Sequence, residues 1–185
     1  MLFRSVAFDG TNIWVANDGS NSVTELRASD GFVLGTFTTG SNPLGLAFDG
    51  TNIWVGNSGS NNVTKLRAID GANLGTFTVG AYPQAVAFDG ANIWVANTVS
   101  NNVTELASDG TVLRTVGAGN GPAGVAFDGA NIWVANHNDS TVTKIRASDG
   151  TVLRTVGAGN GPAGVAFDGA NIWVANENSG TISKL

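Results

Sequence analysis

The chain has 185 residues, of which 42% are hydrophobic and 12% charged, with a net charge of −5 and no Cys. Nine scattered Lys and Arg form no basic stripe, which argues against nucleic acid as a partner, and the lack of Cys excludes disulfide and thiolate chemistry. The sequence has no apolar run long enough for a membrane span, and abundant Gly, Asn, Thr and Ser favour short strands and tight turns over helices.

Met1-Leu2-Phe3-Arg4-Ser5 leads directly into the first element and has no signal-peptide pattern. The segment Phe-Asp-Gly-(Thr/Ala)-Asn-Ile-Trp-Val-(Ala/Gly)-Asn then starts at Phe8, Phe48, Phe88, Phe127 and Phe167, with spacings of 40, 40, 39 and 40. Ser108 to Asn136 recurs letter for letter as Ser148 to Asn176, which indicates recent duplication or deliberate construction. The repeats divide a single domain, 1–185, into 1–40, 41–80, 81–119, 120–159 and 160–185.

Each repeat predicts four strands. In the second copy these are strand a at Leu44–Phe48, b at Ile53–Gly56, c at Val63–Arg67 and d at Leu74–Val79. Asp49-Gly50 and Asp70-Gly71 are hairpin signals, because Gly accepts positive φ and Asp caps the turn. Asn57 to Asn62 is a longer b–c loop, and Pro43, Pro83, Pro122 and Pro162 mark the d–a connections. Strand b, as in Ile13-Trp14-Val15-Ala16, is apolar on both alternating faces, so each small sheet needs a neighbour on either flank. The expected fold is an all-β propeller of about five blades, each a four-stranded antiparallel meander.

The last copy ends in strand c at Thr181–Leu185, so the fifth blade lacks its outer strand. A ring closed within five blades is the first expectation. A ring shared between chains through the open strand at Thr181–Leu185, or a segment of a larger propeller, are the alternatives.

Pro122-Ala123-Gly124-Val125-Ala126-Phe127-Asp128 and Ile132-Trp133-Val134-Ala135-Asn136 resemble the YVTN-type repeats of bacterial and archaeal surface propellers. The meander is also similar to NHL-type repeats and to those of the virginiamycin B lyase group. The first resemblance implies a secreted or cell-surface setting. The lyase resemblance implies a metal-assisted elimination with a catalytic His and acidic partners, although this chain has a single His and lacks the surrounding pattern.

The ring of tryptophans (Trp14, Trp54, Trp94, Trp133 and Trp173) reads as interblade core, with sugar stacking as the alternative. Phe8, Phe48, Phe88, Phe127 and Phe167 read the same way. Asp9, Asp49, Asp89, Asp128 and Asp168 read as turn caps, with a cation-binding ring as the alternative. Asn17, Asn57, Asn97, Asn136 and Asn176 are expected to tie the b–c loops to backbone groups.

The position after that Asn varies, as Asp18, Ser58, Thr98, His137 and Glu177. A constant frame with varying loops places the candidate ligand site on the b–c and d–a face, around Asp18, Tyr82, His137, Asp139 and Glu177. His137, Asp139 and Glu177 could also form an acid–base or metal cluster. No nucleophile elbow, phosphate loop or His pair at metal spacing is present, so no catalytic residue, metal or cofactor is assigned. The expected function is a non-enzymatic scaffold binding a protein, glycan or small ligand. The alternatives are a metal-assisted lyase or lactonase-like enzyme, and a structural or designed repeat protein without a ligand.

Overall fold

The structure, a computed structural model, describes residues 3–185, with side chains described from Ser5 onward. The reading of Met1 and Leu2 as a direct lead-in lies outside the described residues. The first blade holds β1 (Phe3–Phe8), β2 (Asn12–Asn17), β3 (Ser22–Arg27) and β4 (Val33–Thr38). The second holds β5 (Pro43–Phe48), β6 (Asn52–Asn57), β7 (Asn62–Arg67) and β8 (Asn73–Thr78). The third holds β9 (Pro83–Phe88), β10 (Ile93–Asn97), β11 (Asn102–Leu106) and β12 (Val112–Gly117). The fourth holds β13 (Pro122–Phe127), β14 (Asn131–Asn136), β15 (Thr141–Arg146) and β16 (Val152–Gly157). The fifth has three strands, β17 (Pro162–Phe167), β18 (Ile172–Asn176) and β19 (Thr181–Lys184).

Every sheet is an antiparallel meander in chain order, as expected of propeller blades. Among the described residues there is, besides the strands, one turn of 3-10 helix at Asp18–Ser20. Among the described residues, no helix is long and apolar enough to cross a membrane. The hairpins form where Asp-Gly stands: Gly50 takes φ +95°, and Asp49 Oδ1 accepts the amides of Thr51 (2.8 Å) and Asn52 (2.7 Å). The four prolines each open an inner strand, where a missing N–H costs the ladder least.

The inner strands stand side by side around an axis, β1 on β5, β5 on β9, β9 on β13 and β13 on β17. Strand periodicity gives each blade two different flanks. The forward flank of the second blade carries Ala47, Trp54 and Val63, which pack on Val86, Ile93, Val95 and Leu106 from the rear flank of the third. The other three interfaces repeat this arrangement. Trp14 stacks on Phe37 of its own outer strand at 5.5 Å, and Trp54 lies 5.8 Å from Phe77.

The flanks that would close the ring are open. Packing of β17 on β1 does not match that of the other inner strands, and Val6 and Phe8 on the rear of the first blade are 61% and 57% exposed. On the front of the last blade, Trp173 is 39% and Ile182 72% exposed. This corrects the expectation of a ring closed within five blades: four Trp-filled interfaces turn the chain through less than a full circle. It also corrects the reading of the strand-a phenylalanines. Phe48 and Phe127 pack against interblade clusters, as does Phe88, whereas Phe8 and Phe167 are exposed.

Trp54, fully buried, and Trp173 therefore report different environments with the same local sequence. Trp54→Ala should cost about 3–5 kcal/mol in urea unfolding. Trp173→Ala should cost clearly less, because no blade covers its face.

Candidate functional site

One end of the stack is built from the b–c and d–a loops, which are bonded to each other. Ser58 and Gly59 donate their amides to Asn42 O (2.9 Å) and Ser41 O (3.0 Å). Thr98, His137 and Glu177 donate in the same way to Tyr82, Gly121 and Gly161. A second set of bonds runs between blades. Asn21, Asn61 and Asn101 adopt φ of 54°, a left-handed turn that Asn tolerates. Their side-chain Oδ1 atoms accept the amides of Asn42, Tyr82 and Gly121 in the following blade, at 2.9, 3.0 and 2.9 Å.

The varying loop position mostly reaches forward to the next blade. Asp18 Oδ1 accepts from Asn42 Nδ2 at 2.8 Å. The Thr98 hydroxyl lies 2.7 Å from Pro122 O and 2.9 Å from Gln84 Oε1. His137 Nε2 lies 3.8 Å from Glu177 Oε2, and its Nδ1 is 3.2 Å from Asn138 Oδ1. Asp139 is not part of this pair; its Oδ2 accepts the Asn120 amide at 2.5 Å. Thus His137 and Glu177 come together on the surface, while Asp18 and Asp139 are engaged in loop bonds. Among the described residues, no group of three His, Cys, Asp or Glu is placed to hold a metal ion.

Tyr82 occupies a different setting. The residue before each d–a proline is left-handed: Asn42 at φ 54°, Tyr82 at 60°, Gly121 at 69° and Gly161 at 68°. Asn and Gly suit that conformation; an aromatic residue does not, and left-handed backbone costs it roughly 1–2 kcal/mol. Its ring is 42% exposed and borders an axial cavity of about 430 Å³. Ser5 and residues 44–46, 84–86, 123–125 and 163–165 of the inner strands line that cavity. Most of the lining side chains are small or aliphatic, yet polar atoms, those of the inner-strand backbone and of Ser5, Gln84 and Tyr82, make up most of the lining surface, and Tyr82 is the one ionisable residue in it. The inner strands come close here: a Cβ on Gly124 would clash with the Ala163 carbonyl oxygen.

The opposite end of the stack holds the Asp residues of the repeat. Each binds the Trp five residues on: Nε1 of Trp14, Trp54, Trp94 and Trp133 donates to Oδ2 of Asp9, Asp49, Asp89 and Asp128 at 2.7 Å, and Trp173 to Asp168 at 2.6 Å. Both carboxylate oxygens are thus used, one by the turn and one by the indole. Burial raises the Asp49 carboxyl, but Trp54, Asn52 and the turn amides outweigh it and hold it below its ordinary value. Asp9 and Asp128 show the same balance, and at exposed Asp168 the Trp173 indole leads the lowering.

The strand-c residue opposite each Trp is acidic in two blades and basic in three. Where it is Glu25 or Glu105, it draws the amide of Asn12 or Asn92 to itself at 2.7 Å. Where it is Lys65, Lys144 or Lys184, the ammonium lies 5.1, 4.7 or 5.5 Å from the Trp ring centre. The amides of Asn52, Asn131 and Asn171 then turn to Asp49, Asp128 and Asp168. Glu105 is almost fully buried; burial pushes its carboxyl up, while Arg114 at 2.7 Å and Asn92 pull the other way.

The Asn residues ending strand b differ from expectation. Asn57 Nδ2 donates to Asn62 Oδ1 and Thr64 Oγ1, both at 2.9 Å, so it ties strand b to strand-c side chains rather than to backbone. The other four repeat this pattern with the side chains facing them. Asn136 alone among the five also accepts a backbone amide, from Gly119 at 3.0 Å.

No protein-family model matches the chain, and no curated protein matches its sequence. Its fold is shared with several solved structures. Hydrazine synthase of Kuenenia stuttgartiensis matches at TM-score 0.81 and 21% identity, over 90% of this chain and 52% of that one. A catalytically inactive virginiamycin B lyase from Staphylococcus aureus with quinupristin matches at 0.85 and 16%, over 99% of this chain and 66% of that one. The computationally designed Ika8 protein matches at 0.84 and 14%, over 98% of this chain and 57% of that one. The chain therefore spans about half to two thirds of the length of these structures. From 185 residues and those shares, the lyase and Ika8 chains are about 278 and 318 residues long, the length of about seven and eight of this chain's repeats.

The lowered Asp carboxyls predict acid sensitivity. An unfolded Asp titrates near 3.9, so the unfolded chain binds more protons just below that value. The contribution of these Asp carboxyls is present above about pH 4 and is lost as the pH falls through the folded values. Melting temperature should drop between about pH 4 and pH 2. Trp54→Phe, which removes one indole donor, should make that drop smaller.

Proposed function

We propose that the chain is a non-enzymatic propeller scaffold that binds a small ligand with an apolar face, such as a glycan, on the b–c and d–a loop end. The observation that carries this reading is Tyr82: an exposed aromatic residue in left-handed backbone, beside an axial cavity whose lining is largely polar, where three other blades place Asn or Gly. A residue that costs stability where Gly would serve is a candidate for selection on something other than folding. The ring offers a stacking surface, and Gln84 in the cavity lining offers a hydrogen-bonding amide. The resemblance to YVTN-type surface repeats fits such a role.

A lyase-like enzyme is the second reading, and the approach of His137 to Glu177 favours it. It has little else in its support, because Asp18 and Asp139 are held in loop contacts. Incubation with quinupristin and a divalent cation, followed by mass spectrometry, addresses it; turnover that His137→Ala abolishes would favour the enzyme.

The scaffold reading is tested by glycan-array and metabolite screening of the wild-type chain and of Tyr82→Gly. The substitution relieves the left-handed strain, so the melting temperature should hold or rise. Affinity for any hit should fall by at least about tenfold, as expected for loss of a central aromatic contact. A blank screen for the wild type, or undiminished binding by Tyr82→Gly, overturns the proposal.

A further inference from the structure

We infer that the five blades are an open arc whose end flanks receive two or three further blades of the same repeat, completing a ring of seven or eight. The chain already carries both halves of the interface this needs. Trp173 and Ile182 on the open front correspond to Trp133 and Val142, which are buried against Ile172 and Val174 of the next blade. Val6 and Phe8 on the open rear correspond to Leu46 and Phe48, which pack against the Trp14 blade. The exposed surfaces thus belong to a contact that the same side chains make at four internal positions. At β19 an unpaired strand edge stands where each preceding blade has its outer strand.

The number of missing blades follows from the structures that the arc matches. It superposes along nearly its whole length on structures of about seven and eight repeat lengths. A ring of that length leaves room for two or three blades beyond the five. A second five-blade copy docked in the same register would run into the first, so the occupant is a shorter run of the same meander, continuing from β19. A head-to-tail contact of this type either closes a ring or grows without limit, and the superposition on the two longer propeller structures favours closure.

The test extends the full chain. Residues 146–185 form one register unit, because Leu185 stands where Ile145 stands one repeat earlier. One to four copies of that unit are appended after Leu185. Denaturant midpoint and binding of an apolar-surface dye are then measured. Closure predicts a step in midpoint and a loss of dye binding at the second or third unit, with no further gain from the fourth. A linear stack predicts equal increments for every unit and unchanged dye binding, and that result overturns the inference.

The unextended chain supplies an independent arm. Val6→Lys should leave its midpoint unchanged and reduce dye binding, whereas Val86→Lys, at the buried counterpart, should lower the midpoint sharply. Equal losses from the two would mean that Val6 is covered, against the inference. A discrete dimer of the unextended chain that Val6→Lys dissociates would make a second copy the occupant and would also overturn it.

Discussion

The bond from each Trp indole to the Asp five residues before it joins turn, strand and interface in one unit. The carboxylate closes the a–b hairpin with one oxygen, and with the other it satisfies the N–H of the largest side chain in the blade. A buried indole N–H without a partner would carry a desolvation cost of about 1–3 kcal/mol. Meeting that need from the hairpin itself fixes the Trp ring relative to the turn before any second blade arrives. The next blade then packs against a surface whose bulkiest element is already oriented, which is why nearly the same interface can recur with Phe37, Phe77, Val116 or Val156 behind it.

Strand period two turns this unit into a stack with direction. Odd and even positions of β6 serve different neighbours, Trp54 facing forward and Ile53 and Val55 facing back. A blade between two others therefore has no free face to offer a ligand without unpacking its neighbours. Chemistry is confined to the loop ends and the axis. At the Asp end the polar groups are committed: the Asp carboxylates to turns and indoles, and Asn12 and Asn92 to Glu25 and Glu105. At the other end Asn21, Asn61 and Asn101 are spent on fastening one blade to the next.

Much of this was legible in the sequence. Asp-Gly turns, the 40-residue period and the two-sided apolarity of strand b lead to antiparallel meanders packed flank to flank. The Asp–Trp bond left a trace too, an unvarying spacing of five, but Asp and Trp each had a sufficient separate explanation, so the link between them was not drawn. The pairing of Asn17, Asn57, Asn97, Asn136 and Asn176 with strand-c hydroxyls and amides needed the register of strand c, which a one-residue shift would have changed. Ring closure could not be read at all, because the angle between sheets depends on how Trp and Phe fill the interface, and many angles share one periodicity. The choice of Glu25 and Glu105 against Lys65, Lys144 and Lys184 was visible as letters. Its consequence, the reorientation of the neighbouring Asn, emerges only when Trp14 and Glu25 are known to pair across the sheet.

Tyr82 shows how a repeat scaffold brings a candidate site into view. Within one copy an exposed tyrosine in a loop would mean little. Set against Asn42, Gly121 and Gly161 at the same backbone angle, it is a departure whose cost the neighbouring copies measure. His137 and Glu177 depart from the pattern as well, but they occupy unstrained backbone and an exposed surface, so drift explains them without further cause. Strain is the discriminating quantity. A loop position free to be Gly that carries an aromatic ring beside the axial cavity carries it against the interest of the fold, and the proposed binding at the axis is the reading that accounts for that expense.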